Sequence, residues 1–353
     1  MMTVKKVLIV DDSATIRHLI RSSIANESRL QVIGEAADPY EAREKIKLLN
    51  PDVLTLDVEM PRMNGLEFLE KLMRLRPMPV IMVSTETHKG SAAALEALSL
   101  GAVECIGKPR IDTMAEAFWN LPDLLVAAAN ARLRTAASRP KRIPATGFDW
   151  NGKVILVGSS TGGVDALETL LSEFPENCPP TVITQHMPET FLASFAARLQ
   201  RQIVPQFALA SPRAPLEQGR VYLAPGGAYH LALTQGEPAL CKLVAGDKRS
   251  GHRPSVDVLF ESAQFLGDRA VSVLLTGMGR DGAEGMMTLR RAGARCLAQD
   301  EASSVVFGMP KVALQTGAAE RAVPLEAMAG EILALCSSPQ RATQGVVTRG
   351  GAG

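Results

Sequence analysis

A serine at position 160 lies in Gly158-Ser-Ser-Thr-Gly162, directly after the apolar run Lys153-Val-Ile-Leu-Val157. This is the G-x-S-x-G pattern, in which a nucleophilic serine occupies the sharp turn between a buried strand and a helix. The flanking glycines allow the tight backbone, and the free N–H groups of the following helix lie close to the hydroxyl. The chemistry indicated is nucleophilic hydrolysis; a phosphate-binding glycine turn would use the same N–H groups. A serine hydroxyl also needs a base. Of the five histidines, His18 and His88 belong to the other half of the chain, and His230 falls inside the apolar strand Tyr229–Leu233. His186 ends the strand run Thr181-Val-Ile-Thr-Gln185, whereas His252 sits in the loop Ser250-Gly-His-Arg-Pro254. A strand end beside the serine's own strand favours His186 as the base, with His252 as competitor. A carboxylate should then orient the imidazole. Asp281, in the glycine-rich turn Thr276-Gly-Met-Gly-Arg-Asp-Gly282, is the leading candidate, although it could instead cap a helix from Gly282 onward. Asp257 and Asp300 are the alternatives. The chain order Ser…His…Asp differs from the Ser…Asp…His order of α/β-hydrolases.

The N-terminal half holds a second set. Asp11 and Asp12 end one apolar run, Asp57 ends another, Ser84 a third, and Lys108 follows a fourth in Gly107-Lys-Pro109. Three carboxylates at one sheet edge would repel unless a divalent cation sat among them, and oxygen-only donors suit Mg²⁺. An aspartate beside such a cation, a lysine and a hydroxyl is a phosphoryl acceptor, because these groups stabilise the charge on the transferring oxygens.

The elements that must hold these residues follow from the apolar runs. Val7–Val10, Leu30–Ile33, Val53–Leu56, Val80–Val83 and Val103–Ile106 read as buried strands separated by helical segments such as Ala14–Asn26 and Leu66–Arg76. They predict a flavodoxin-like, five-stranded parallel sheet with its chemistry at the strands' carboxyl ends. The pattern breaks from Thr135 to Gly152, where prolines, small residues and the basic Arg139, Lys141 and Arg142 mark a linker. Strands then resume at Val154–Val157, Thr181–Thr184, Val221–Leu223, Tyr229–Leu233, Leu240–Leu243 and Val271–Leu275. Helices are expected over Gly163–Ser172, Thr190–Gln202, Ser255–Phe265 and Gly282–Ala292. The second half is therefore a doubly wound α/β unit, its sheet mostly parallel with an antiparallel hairpin within 219–244. Composition adds exclusions. At 353 residues the chain has room for two cores; no apolar run could span a bilayer or serve as a secretory signal. Five scattered cysteines fit a reduced, cytoplasmic protein, and a net charge of +1 gives no field for nucleic acid. The small, glycine-rich tail is expected to be disordered.

Two resemblances follow from these residues. Asp11-Asp12-Ser13, Asp57 with Met60-Pro61 and Asn64-Gly65, Ser84, and Lys108-Pro109 together resemble the receiver domain of two-component response regulators. That likeness implies Asp57 as phosphoacceptor, Asp12 (with Asp11) and Asp57 around Mg²⁺, and Ser84 and Lys108 on the phosphoryl oxygens. It departs at Cys105, where the family usually carries an aromatic switch. The second half is similar to the catalytic domain of chemotaxis protein-glutamate methylesterases in Gly158-Ser-Ser-Thr-Gly-Gly163, Gln185-His-Met-Pro188, Leu223-Ala-Pro-Gly-Gly227, Arg253-Pro-Ser-Val-Asp257 and Leu275-Thr-Gly-Met-Gly-Arg-Asp-Gly-Ala283.

The second likeness implies Ser160 as nucleophile, His186 as base and Asp281 as its partner. The Met278 N–H, with Thr161, would hold the oxyanion, and His252 is left unassigned. The implied activity is release of methanol from glutamyl methyl esters on a chemoreceptor's cytoplasmic domain, with glutamine deamidation beside it. Adaptation would be its role, a histidine kinase its phosphodonor, Mg²⁺ the cofactor of phosphorylation, and no cofactor would serve the ester reaction. The expected division is a receiver at 1–125, a linker at 126–152, a catalytic domain at 153–336 and a tail at 337–353. A rival within the enzyme class is an esterase or amidase of a non-flagellar array with another acylated protein target. A DNA-binding output would be shorter, helical and basic, unlike this α/β half, and a non-catalytic protein-binding module would survive Ser160→Ala.

Overall fold

Val7, Leu8, Ile9 and Val10 are all buried, and a strand that hides both its faces belongs inside a sheet covered by helices on each side. The structure, a computed structural model, describes residues 3–84, 88–108, 118–131 and 147–338. Its N-terminal half alternates β1 (Lys5–Val10), α1 (Ala14–Ile24), β2 (Leu30–Ala36), α2 (Pro39–Leu49), β3 (Val53–Asp57), α3 (Gly65–Leu75), β4 (Val80–Ser84), α4 (His88–Ser99), β5 (Glu104–Gly107) and α5 (Leu121–Ala129). The five strands are parallel, in the order β2-β1-β3-β4-β5. The order reverses between β1 and β3, which opens a crevice at their carboxyl ends. Three helices start on the side chains that favour such starts: Ser13, Asp38 and Asn64 each accept a first-turn N–H.

The C-terminal half runs β6 (Val154–Ser159), α6 (Gly163–Leu171), β7 (Thr181–Gln185), α7 (Glu189–Gln202), β8 (Gln206–Leu209), β9 (Arg220–Leu223), β10 (Tyr229–Thr234), β11 (Leu240–Ala245), α8 (Val256–Ser262), β12 (Ala270–Leu274), α9 (Ala283–Arg291), β13 (Arg295–Gln299), α10 (Met309–Gln315), β14 (Arg321–Val323) and α11 (Leu325–Cys336). Seven strands pair in parallel throughout, ordered β14-β13-β12-β6-β7-β9-β8. β6 is the reversal point, with β7 on one side and β12 on the other, so the ends of all three meet at one crevice. The expected hairpin is present as β10 and β11, and it forms its own two-stranded sheet.

Three strands went unforeseen. β8 and β14 are edge strands of four and three residues, too short to show a pattern. β13 is buried along most of its length, but its Arg-Cys-Leu-Ala-Gln lacks the β-branched residues that announce a strand. The helix expected to run to Phe265 stops at Ser262, and the chain continues as a 3₁₀ stretch, Gln264–Arg269. Most of the expected linker, with Arg139, Lys141 and Arg142, and most of the tail lie outside the described residues, as does Pro109. Among the described residues no helix is long and apolar enough to cross a membrane.

The halves share a core. One buried cluster takes Leu95 and Leu98 from α4 together with Leu192, Phe195 and Leu199 from α7. Arg198 of α7 ties them further: its Nε lies 2.8 Å from Glu168 Oε1, and Nη1 donates to the Leu95 carbonyl at 3.2 Å.

Candidate functional site

Ser160 leaves the carboxyl end of β6 and His186 the end of β7, in the same parallel sheet. Gln185 locks the two ends together. Its Oε1 accepts the Ser159 hydroxyl at 2.6 Å, while its Nε2 donates to the Ser160 and His186 carbonyls at 3.0 and 3.1 Å. Only glycine fits at 163, because a Cβ there would stand 2.1 Å from Gln185 Oε1. The glycine that follows the G-x-S-x-G turn therefore makes room for this lock. Ser160 is 7% exposed, and its own N–H is taken by the Thr276 carbonyl at 3.0 Å, which binds the serine turn to the loop after β12.

That loop brings Asp281 to His186, with Oδ2 2.7 Å from Nε2. Asp281 does not cap the helix that follows it; α9 starts behind Gly282 without a side-chain cap. Its carboxylate instead receives the start of α8, from Val256 N–H at 2.7 Å, Asp257 N–H at 3.2 Å and the Ser255 hydroxyl at 2.8 Å. Burial works against this anion. The His186 ring, the Val256 N–H and the Ser255 hydroxyl outweigh it and hold the carboxyl well below its usual range. Asp281 thus stays ionised and fixed where it can hold the proton on Nε2, leaving Nδ1 as the basic nitrogen. Nδ1 is buried with no hydrogen-bond partner.

The competitors occupy other places. Asp257 is buried with its Oδ1 on the Gly285 N–H at 2.7 Å, and burial, with the Asp281 charge, raises its carboxyl. Asp300 accepts from Ser303. His230 is fixed by both nitrogens, Nδ1 to the Ser255 N–H at 3.1 Å and Nε2 to the Asp247 carbonyl at 2.9 Å. It therefore steadies the residue that in turn binds Asp281. His18 lies exposed on α1, and His88 begins α4. His252 stacks face to face on His186, with centroids 3.8 Å apart and planes 5° from parallel. Sequence reading missed this stack and the Gln185 lock; the only trace was His252 lying in the loop before α8.

A cavity of about 430 Å³ contains Ser160, Thr161, His186, His252 and Met278, so both expected oxyanion residues face it. Its other wall comes from the N-terminal half: Glu104, Cys105, Lys108, Phe118 and Trp119 line the same space. Glu104 is hydrogen-bonded by the Thr161 side chain, and burial pushes its carboxyl up to about 7. Trp119 crowds the loop that carries His252, for a Cβ at Gly251 would lie 3.1 Å from its ring.

At the crevice of the first sheet, ligand oxygens of Asp11, Asp12 and Asp57 lie within 4.8 Å of one another. Lys108 Nζ is 2.9 Å from Asp57 Oδ2 and 3.2 Å from Asp11 Oδ2. Neither oxygen has an aligned hydrogen-bond donor. Burial, then the Asp11 charge, push Asp57 up to about 6 against the pull of Lys108. Ser84 ends β4 beside Gly107, fully buried. The thiol of Cys105 is likewise raised by burial and then by the Glu104 charge, leaving an inert apolar group in β5.

Each half of the chain matches a known family. The family model described as CheB methylesterase matches residues 155–332, and that of the response regulator receiver domain matches residues 7–118. The chain is 56% identical over 338 residues to a Caulobacter vibrioides protein named protein-glutamate methylesterase/protein-glutamine glutaminase 1, covering 94% of this chain and 98% of that one. It is 51% identical over 347 residues to an Agrobacterium fabrum protein named protein-glutamate methylesterase/protein-glutamine glutaminase, covering 96% and 98%. The solved catalytic domain of Thermotoga maritima CheB methylesterase superposes with a TM-score of 0.51 at 34% identity, over 52% of this chain and 99% of that one.

Proposed function

This chain belongs to the CheB methylesterase family, with a response regulator receiver ahead of the esterase region, and from that premise we propose how it works. It is a protein-glutamate methylesterase and protein-glutamine glutaminase. It removes methyl groups from glutamyl esters on a chemoreceptor's cytoplasmic domain and acts in the cytoplasm. We assign the receiver to 1–129, four residues past the expected bound because α5 runs on to Ala129 and buries Ala128 in the receiver core, the linker to 130–152, the catalytic domain to 153–336 and the tail to 337–353.

Ser160 Oγ attacks the ester carbonyl as its proton passes to His186 Nδ1, while Asp281 keeps Nε2 protonated. The oxyanion faces the Met278 and Thr161 N–H groups; one such donor typically lowers the barrier by about 2.7–4 kcal/mol. His186 then protonates the methoxy group, methanol leaves, and water cleaves the acyl-serine to give glutamate. A glutamine side chain would follow the same course with ammonia leaving. The 2.7 Å contact between His186 and Asp281, at the cavity that holds Ser160, carries this reading. Methanol release from methyl-labelled receptor membranes tests it: Ser160→Ala should abolish release, and a variant that keeps wild-type turnover would refute the assignment.

Regulation falls to the receiver. Asp57 accepts a phosphoryl group from a histidine kinase, and Asp11, Asp12 and Asp57 supply the oxygen-only donor set that fits Mg²⁺. The bound cation would neutralise charge on the phosphoryl oxygens. With Asp57 unmodified, Glu104, Phe118 and Trp119 wall the esterase cavity and restrict entry; phosphorylation of Asp57, at the end of β3 beside Lys108, loosens that wall through β5. Asp57→Asn supplied with acetyl phosphate should remain at its basal rate.

A further inference from the structure

The loop between β11 and α8 is braced to hold one ring. Arg249 N–H donates to the His252 carbonyl at 3.0 Å, and His252 N–H to the Arg249 carbonyl at 2.9 Å. Between them Ser250 and Gly251 have φ of 53° and 80°, the pair of positive values that a two-residue hairpin turn uses. Arg249 is forked onto Glu261 of α8 by two 2.5 Å hydrogen bonds. On the other flank the Arg253 guanidinium donates to the Gly227 carbonyl at 2.6 Å and the Gly246 carbonyl at 2.5 Å. A loop tied at both flanks keeps its central side chain in one place, here flat against His186 at 3.8 Å.

We infer that His252 is a positioning residue for the esterase reaction: its ring face fixes the plane of His186 and stabilises the imidazolium that forms there. The inference rests on the assignment of Ser160, His186 and Asp281 given above. A ring covered at stacking distance cannot turn about its Cβ–Cγ bond without losing that contact. Nε2 therefore stays on Asp281, and Nδ1 stays free for the serine's proton. Once that proton has moved, His186 is a cation lying on an aromatic face, an attractive arrangement provided the face is uncharged. Burial, reinforced by the charge at His186, pushes His252 down to about 3 despite the opposing Asp281, so the face is uncharged near neutral pH.

The test compares kcat and KM for methanol release by the phosphorylated full-length protein as wild type, Ser160→Ala, His252→Ala and His252→Phe. Loss of one cation–π contact and its orienting effect should lower kcat of His252→Ala by roughly tenfold with KM little changed. His252→Phe keeps the ring face and should recover most of the loss. Unchanged thermal unfolding and phosphoryl uptake report that each variant is folded. Wild-type kcat in His252→Ala overturns the inference, as does a rise in KM alone, which would make the ring a substrate contact. A His252→Phe enzyme as inactive as Ser160→Ala also overturns it, because the ring would then be carrying a proton. An active Ser160→Ala, or an inactive wild type, refutes the underlying catalytic assignment instead.

Discussion

Glu104 should make the receiver's grip on the esterase depend on pH, and Glu104→Gln should remove that dependence. In the closed arrangement burial raises this carboxyl from an ordinary 4.5 to about 7. Once the receiver swings away and water returns, the ordinary value applies. Such a difference corresponds to roughly 3 kcal/mol between the two protonation states. Glu104 keeps some contact with solvent, which screens the effect to about 1–2 kcal/mol. The sign follows from proton binding. The closed form holds its proton more tightly, so closure is fully favoured below 4.5 and loses ground as pH rises to about 7. Above that it levels off. Basal activity, expressed as a fraction of phosphorylated activity at the same pH, should therefore rise by roughly tenfold across the interval. Taking the ratio cancels the titration of the catalytic machinery, which both forms share. Glutamine mimics the protonated carboxyl, so Glu104→Gln should stay at the low ratio throughout. Methanol release from labelled receptor membranes, with and without acetyl phosphate, gives both numbers. A flat wild-type ratio, or a Glu104→Gln protein more active than wild type at neutral pH, would refute the reasoning.

Asp281→Asn should lower kcat by about 10³–10⁴ with little change in KM, since the imidazolium loses its counter-charge. The same change weakens the anchor of α8, so thermal unfolding should move down by an amount set by one helix cap, about 1 kcal/mol. Gly163→Ala drives a methyl group into Gln185 Oε1 and should break the link between the β6 and β7 ends. The expected result is a large loss of kcat in a protein whose receiver still takes up phosphoryl groups; unaltered turnover would count against the lock. Chelation of divalent cations should abolish activation by acetyl phosphate and leave basal methanol release unchanged, as measured in the same assay before and after EDTA.

Much of this was legible in the chain. Apolar runs of four to six residues closed by polar or glycine positions mark buried parallel strands, and the residue after such a run sits at the sheet's carboxyl edge. That logic located Asp57, Ser84 and Lys108 in one half and Ser160 and His186 in the other, because strand and turn are written in adjacent residues. Asp281 was found in the same way, but not what it holds. Its carboxylate holds the start of α8 at Val256, 25 residues upstream, a contact that exists only because β12 is inserted beside β6. His252 carried no periodicity, and its ring reaches His186 through arginine contacts to Glu261, Gly227 and Gly246. The meeting of Glu104 and Trp119 with the esterase cavity left even less trace. Each half has its own sheet, and the pattern along either one says nothing of the other. Alternation along a strand records what a residue's neighbours in the chain require. Which surfaces then face each other depends on strand order and on burial summed over the whole molecule, and that only the tertiary structure decided.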